Sequence, residues 1–299
     1  MSRSTIFANI KRHDTGVATG SWADFELQTA FQPIFAFHDQ KLVMKAFEGL
    51  VRPFRDDEEI SPMQFFALIP PQERLAIEAL TRTIHLLNAG RFLDPATLIF
   101  VNFDPSVFSD RRVIASLLRG MRLVLHEAGI EPARVVCEVT EKKATSKLAL
   151  ATFVSAMRDD GFTIAVDDYG AEESDLARVR ALKPDIVKFD AQWIMRLMDT
   201  PHGVALLAAM VEEFASSGIR IVFEGIEEPW QLEIAEQSGA HMVQGYALAR
   251  PELAPSSFAM ALGRPVLPPG SVPADAAGAR RSAARTQSVS KIFGRRPQP

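Results

Sequence analysis

Phe162-Thr163-Ile164-Ala165-Val166-Asp167-Asp168-Tyr169-Gly170, followed at a distance by Ile186-Val187-Lys188-Phe189, decides the fold. A short apolar run ends on two acids. A segment with helical spacing follows over 175–182, and a second apolar run then carries a lysine. Apolar runs that are continuous rather than alternating predict strands covered on both faces. Strand, helix and strand in that order predict one unit of a parallel sheet.

The same unit recurs on either side. Apolar runs lie at 31–37, 42–51, 97–103, 134–140, 162–167, 185–189, 220–223 and 241–248. Helical spacing fills 61–90, 113–128, 147–160, 175–182, 203–217 and 229–238. Together they predict an α/β fold, a (β/α)8 TIM-like barrel over residues 25–262, near the ~250 residues typical of that architecture. The link His38-Asp39-Gln40-Lys41 is too short for a parallel crossover, so one antiparallel pair is expected near the start. Residues 1–24 read as a loosely ordered extension. Residues 263–299 read as a basic, disordered tail, with seven Arg and Lys against one Asp and little apolar material. Such a tail could contact an acidic partner.

Composition narrows the function classes. The chain has 299 residues, 47% of them hydrophobic and 23% charged, as in ordinary globular domains. A net charge of -4 gives no sign of a nucleic-acid polymer as partner. One cysteine, Cys137, cannot form an internal disulfide, which favours a reducing compartment. The start of the chain lacks the apolar core of a secretory leader, and no window is long and apolar enough to span a membrane. A cytoplasmic location is expected.

Function is written where polar groups interrupt the apolar runs. Glu48, Asn102, Glu138, Glu141, Asp167, Asp168, Lys188, Glu224 and Gln244 fall near the same end of seven successive runs. In a parallel barrel those ends converge on one face, where barrel enzymes build their sites. Clustered carboxylates disfavour joint ionisation and need cations to balance them. Oxygen donors with one amide and no thiolate suit Mg²⁺ or Mn²⁺. The adjacent Asp167 and Asp168 could let two ions share a carboxylate, and Lys188 could stabilise developing negative charge. These residues therefore point to metal-dependent phosphoester hydrolysis. Cys137 neighbours Glu138 on a strand and should face the other way, as a small core residue.

The blocks Gln32-Pro33-Ile34, Glu48-Gly49-Leu50-Val51-Arg52, Val101-Asn102, Glu138-Val139-Thr140-Glu141, Asp167-Asp168-Tyr169-Gly170, Lys188-Phe189-Asp190, Glu224-Gly225-Ile226-Glu227 and Gln244-Gly245-Tyr246 resemble, in order, those of the EAL family of cyclic di-GMP phosphodiesterases. The resemblance covers residues 31 to about 251. It implies the EAL type of barrel and hydrolysis of cyclic di-GMP to linear pGpG by a water activated between two ions. Glu48, Asn102, Glu138 and Asp167 would hold one Mg²⁺ or Mn²⁺, and Asp167, Asp168 and Glu224 the second. Lys188 would orient the water, Gln244 would support the site, and Glu141 would brace the loop after Asp168. Gln32, Leu50, Arg52 and Asp190 would bind substrate. Pairing through the barrel into a homodimer is a family habit.

Two departures from the family pattern stand out. Gly49 replaces the family's alanine, a lost methyl from which a small effect is expected. Ala171-Glu172-Glu173-Ser174 replaces a loop that normally carries a glycine and an aromatic residue. That acidic loop keeps open an alternative, a catalytically inactive receptor that binds cyclic di-GMP or a protein partner. The barrel by itself also leaves open a metal enzyme acting on another phosphodiester.

Overall fold

The structure is a computed structural model and describes residues 7–39, 41–107, 111–140, 147–171 and 175–260. The strands are β1 (Ile10–Arg12), β2 (Ala18–Trp22), β3 (Phe25–His38), β4 (Lys41–Arg55), β5 (Glu58–Glu59), β6 (Leu98–Phe103), β7 (Val135–Val139), β8 (Thr163–Tyr169), β9 (Ile186–Phe189), β10 (Arg220–Phe223), β11 (Met242–Val243) and β12 (Glu252–Leu253). The helices are α1 (Pro62–Leu68), α2 (Arg74–Phe92), α3 (Arg111–Ala128), α4 (Lys147–Asp159), α5 (Asp175–Leu182), α6 (Ala191–Met198), α7 (Pro201–Ser216) and α8 (Pro229–Gln237). No helix among the described residues is long and apolar enough to cross a membrane.

Eight strands close into a barrel in the order β3, β11, β10, β9, β8, β7, β6, β4, with β4 returning to β3. The expected irregularity is β3, which runs antiparallel to both β4 and β11 while the other neighbours are parallel. Each strand sends one apolar residue inward: Ile34, Ala46, Phe100, Val136, Ala165, Ile186, Val222 and Met242 form a buried plug. The outward faces pack on the helices in a larger core, where Cys137 is fully buried. Burial pushes its thiol well above its ordinary value, as expected of a packing residue and not a nucleophile.

Two expectations need correction. The helical spacing over 61–90 breaks into α1 and α2, because Pro70 and Pro71 cannot continue a helix. The stretch before Phe25 is not loosely ordered in its described part. There β1 and β2 pair antiparallel, and β2 pairs with the start of β3. Asn88 on α2 fixes this hairpin: its Oδ1 accepts from the Ala18 amide at 2.8 Å and its Nδ2 donates to the Ala18 carbonyl at 2.9 Å. Phe25, Leu27, Val51, Phe65, Ile77 and Leu80 build a second small core between this extension and the first helices. The tail over 263–299 lies outside the described residues.

Candidate active site

The site is the next layer of the barrel plug. Side chains alternate along a strand, so the residue two positions from an inward residue also points inward. Two positions beyond the apolar plug, towards the C-terminal ends of the parallel strands, stand Glu48, Asn102, Glu138, Asp167, Lys188, Glu224 and Gln244. On antiparallel β3 the same step runs backwards and reaches Gln32, directly opposite Glu48. One shift of register thus replaces a ring of apolar side chains by a ring of polar ones.

Lys188 lies at the centre, 1% exposed. Its Nζ is 2.7 Å from Glu138 Oε1, 2.7 Å from Glu224 Oε1, 3.1 Å from Asp167 Oδ1 and 3.5 Å from Glu48 Oε2. Gln244 Nε2 donates to Glu48 Oε2 at 3.0 Å, and Asn102 Nδ2 to Glu48 Oε1 at 3.3 Å. Glu138 is fully buried, and its Oε2 has no hydrogen-bond partner.

One ammonium cannot balance this many acids. Burial pushes the Glu138 carboxyl well above the usual carboxylate range; Lys188 pulls it back, while Glu48 and Asp167 push it further up. Burial likewise raises Glu224 to about 8, against the pull of Lys188. Burial alone would discharge Lys188, but Asp167, Glu138, Glu224 and Glu48 outweigh it and hold the ammonium charged. The chain's own groups leave excess negative charge in a dry place, the arrangement that divalent cations resolve.

Asp167 and Asp168 both reach this site because β8 is irregular there. Its pairing with β9 shifts register between Val166 and Tyr169, and Asp168 takes a left-handed backbone, φ 52°. In a regular strand two consecutive side chains would face opposite ways; the bulge re-aims one of them. Ligand atoms of Asp167, Asp168 and Glu224 then lie within 4.8 Å of one another. Gly170 follows at φ 103°, where a Cβ would strike Trp193 at 2.3 Å, so only glycine lets the strand leave the bulge against that ring. Hard oxygen donors and a buried carboxylate oxygen unpartnered among the described residues fit a hard divalent cation.

The substrate-binding residues named from sequence divide. Leu50 and Arg52 continue the inward face of β4 beyond Glu48. Arg52 is held by Glu59 at 3.3 Å and by the Val51 carbonyl at 3.0 Å. Gln32, Glu48, Glu224 and Gln244 line a cavity of about 260 Å³ with Glu227 and Tyr246. Asp190 follows Phe189 at the end of β9, and its Oδ1 accepts from the Trp193 amide at 2.8 Å, which caps α6. Glu141 and the residues Glu172, Glu173 and Ser174 lie outside the described residues.

Gly49 also reads differently in three dimensions. A Cβ there would stand 2.9 Å from His85 Cβ and 3.0 Å from its Cγ. The glycine is therefore matched to a buried histidine whose Nδ1 meets Thr29 Oγ1 at 2.9 Å, and is more than a lost methyl. Thr29 Oγ1 also accepts from Asn88 Nδ2 at 3.0 Å, which joins this pair to the anchor of β2. No spacing signal in the sequence pairs His85 with Gly49.

Fold and site together define a (β/α)8-barrel protein with a cation-seeking carboxylate ring at the C-terminal ends of its strands. The EAL domain model matches residues 21–251, and the chain belongs to that family. It is 32% identical over 235 residues to the uncharacterized EAL-domain containing protein YkuI of Bacillus subtilis, covering 74% of this chain and 54% of that protein. It is 29% identical over 229 residues to the probable cyclic di-GMP phosphodiesterase PdeB of Escherichia coli, covering 74% and 42%. The crystal structure of YkuI with substrate c-di-GMP and calcium superposes with a TM-score of 0.65 at 29% identity, over 76% of this chain and 56% of that one. Klebsiella pneumoniae BlrP1 with manganese and cyclic di-GMP gives 0.67 at 26% identity, over 76% and 56%. The chain spans about half the length of these relatives or less.

Proposed function

We propose that this chain hydrolyses one phosphodiester of cyclic di-GMP to give linear pGpG, using Mg²⁺ or Mn²⁺ bound at the carboxylate ring. The observation that carries the reading is the group Asp167, Asp168 and Glu224, held within 4.8 Å beside an ammonium already crowded by four carboxylates. Glu48, Asn102, Glu138 and Asp167 would hold one ion, and Asp167, Asp168 and Glu224 the other. Two divalent ions supply charge compensation and the Lewis acidity that makes water a nucleophile near neutral pH.

The rest is done by the chain. Lys188 keeps a full positive charge where negative charge grows on phosphorus-bound oxygen, and its burial means no solvent has to reorganise around it. Gln244 and Asn102 fix the two oxygens of Glu48, so that carboxylate presents its remaining lone pairs in one direction. Gln32, Leu50 and Arg52 extend the site along β3 and β4, where Arg52 offers a planar cation to a phosphate. Cyclic di-GMP as the substrate is supported by family membership and by the ligands seen in related structures.

The test is incubation of purified protein with cyclic di-GMP and Mg²⁺ or Mn²⁺, with products separated by chromatography. Linear pGpG should form. Glu48→Gln should lower the rate by more than the about 10–100-fold that loss of an outer-shell partner costs. Binding without product under either metal would replace the hydrolase by the receptor reading.

A further inference from the structure

We propose that Arg178 is the positioning residue that holds the strand ends bearing Glu138, Asp167 and Asp168 in metal-binding register. The inference rests on the functional reading above and deepens it. Arg178 lies on α5, on the helical side of the acidic bulge, and its guanidinium points back at the barrel rim. Its Nη2 donates to the carbonyl of Val139 and, at 2.6 Å, to that of Thr140; its Nη1 reaches the Asp167 carbonyl at 3.5 Å. Val139 and Thr140 directly follow Glu138. The Asp167 carbonyl belongs to the peptide that joins the two bulge acids.

These carbonyls need a donor for a topological reason. Strand β7 ends at Val139, and the pairing of β8 is interrupted between Val166 and Tyr169. Backbone acceptors left over at a strand end or a bulge must find partners elsewhere. A guanidinium can serve both strands at once, because it is planar and carries several donors in a fixed fork. It does so by bonding main-chain oxygens of both strands. The ladder pairs Glu138 with Ala165 and Val139 with Val166 but stops before the acids of β8. Beyond that point Arg178 links the end of β7, just after Glu138, to the peptide after Asp167. A purely structural role would change stability alone; a positioning role changes metal affinity in a protein that remains folded.

The experiment is a calorimetric titration of the full chain with Mn²⁺, for the wild type, Arg178→Gln and Arg178→Lys, together with metal-free thermal unfolding of each. Both variants should lose affinity by about 10–100-fold, the range for partners that orient metal ligands, in a metal-free chain that still unfolds cooperatively, at a midpoint lowered by the loss of the carbonyls' donor. Lysine keeps the charge but lacks the fork, so it should resemble glutamine. Wild-type affinity in either folded variant overturns the proposal, and so does full rescue by lysine, which would assign the effect to charge. If Arg178→Gln does not fold, Arg178→Lys decides. A wild type that binds Mn²⁺ without hydrolysing cyclic di-GMP ends the hydrolase reading and leaves this one standing; a wild type that binds no Mn²⁺ ends both.

Discussion

At the scale of a residue, Gly49 and His85 show how a local substitution becomes legible only through its neighbour. The histidine is buried and neutral: burial first, then Arg82 and Arg52, lower its pKa to about 3. A neutral ring that is hydrogen-bonded to Thr29 cannot swing away cheaply to admit a methyl. Gly49→Ala should therefore destabilise the protein by about 1–3 kcal/mol, the usual cost of overpacking. His85→Gly removes the contacting Cβ together with the ring, so the loss in the double variant should be smaller than the sum of the two single losses. Urea unfolding of the four proteins measures that coupling; strict additivity would show that the His85 side chain and a Cβ at residue 49 do not contest the same volume. Because Gly49 follows Glu48 in β4, the same strain should weaken Mn²⁺ binding by the single variant.

At the scale of elements, the hairpin of β1 and β2 depends on Asn88. Both of its bonds to Ala18 are buried, so Asn88→Ala leaves an amide and a carbonyl without partners, at about 1–3 kcal/mol. Hydrogen exchange should accelerate at the Ala18 amide while the amides of β7 and β9 stay protected; uniform acceleration would mean that the hairpin is not a separable unit. This hairpin was invisible in sequence because Ile10–Arg12 and Ala18–Trp22 carry almost no apolar run. The burial of Ala18, Thr19 and Gly20 in β2 is made against α2, through Asn88 and Leu80, rather than by large apolar side chains of their own. The barrel strands were legible for the opposite reason. Val135–Val139 and Ile186–Phe189 are covered on both faces, so hydrophobicity alone marks them. The polar ring was legible because seven successive runs carry a polar group near the same end, which isolated core polar residues do not explain. What sequence could not supply was direction. It could not show that β8 bulges to aim both aspartates, that Asp190 caps a helix, or that Gly49 faces His85.

At the scale of the whole molecule, the excess charge of the ring links stability, pH and metal. The Glu224 carboxyl titrates at about 8 in the folded chain, against 4.5 for its ordinary value. Between those two pH values the folded chain holds a proton that the unfolded chain has released. Its stabilising contribution is complete below 4.5 and is lost as pH rises through 8. Glu138 is shifted in the same direction. The metal-free protein should thus lose stability between about pH 4.5 and pH 8, the window set by the Glu224 shift. A divalent ion requires the deprotonated acids, so its binding must release protons and tighten over the same window. The gain in thermal midpoint on adding Mn²⁺ should then be larger at the upper end of the window than at the lower. Unfolding scans with and without Mn²⁺ at both ends test this, with Glu224→Gln as the control that should flatten the metal-free slope. A metal-free stability that rises with pH, or a metal increment that does not depend on pH, would show that the ring accepts its negative charge without needing a cation.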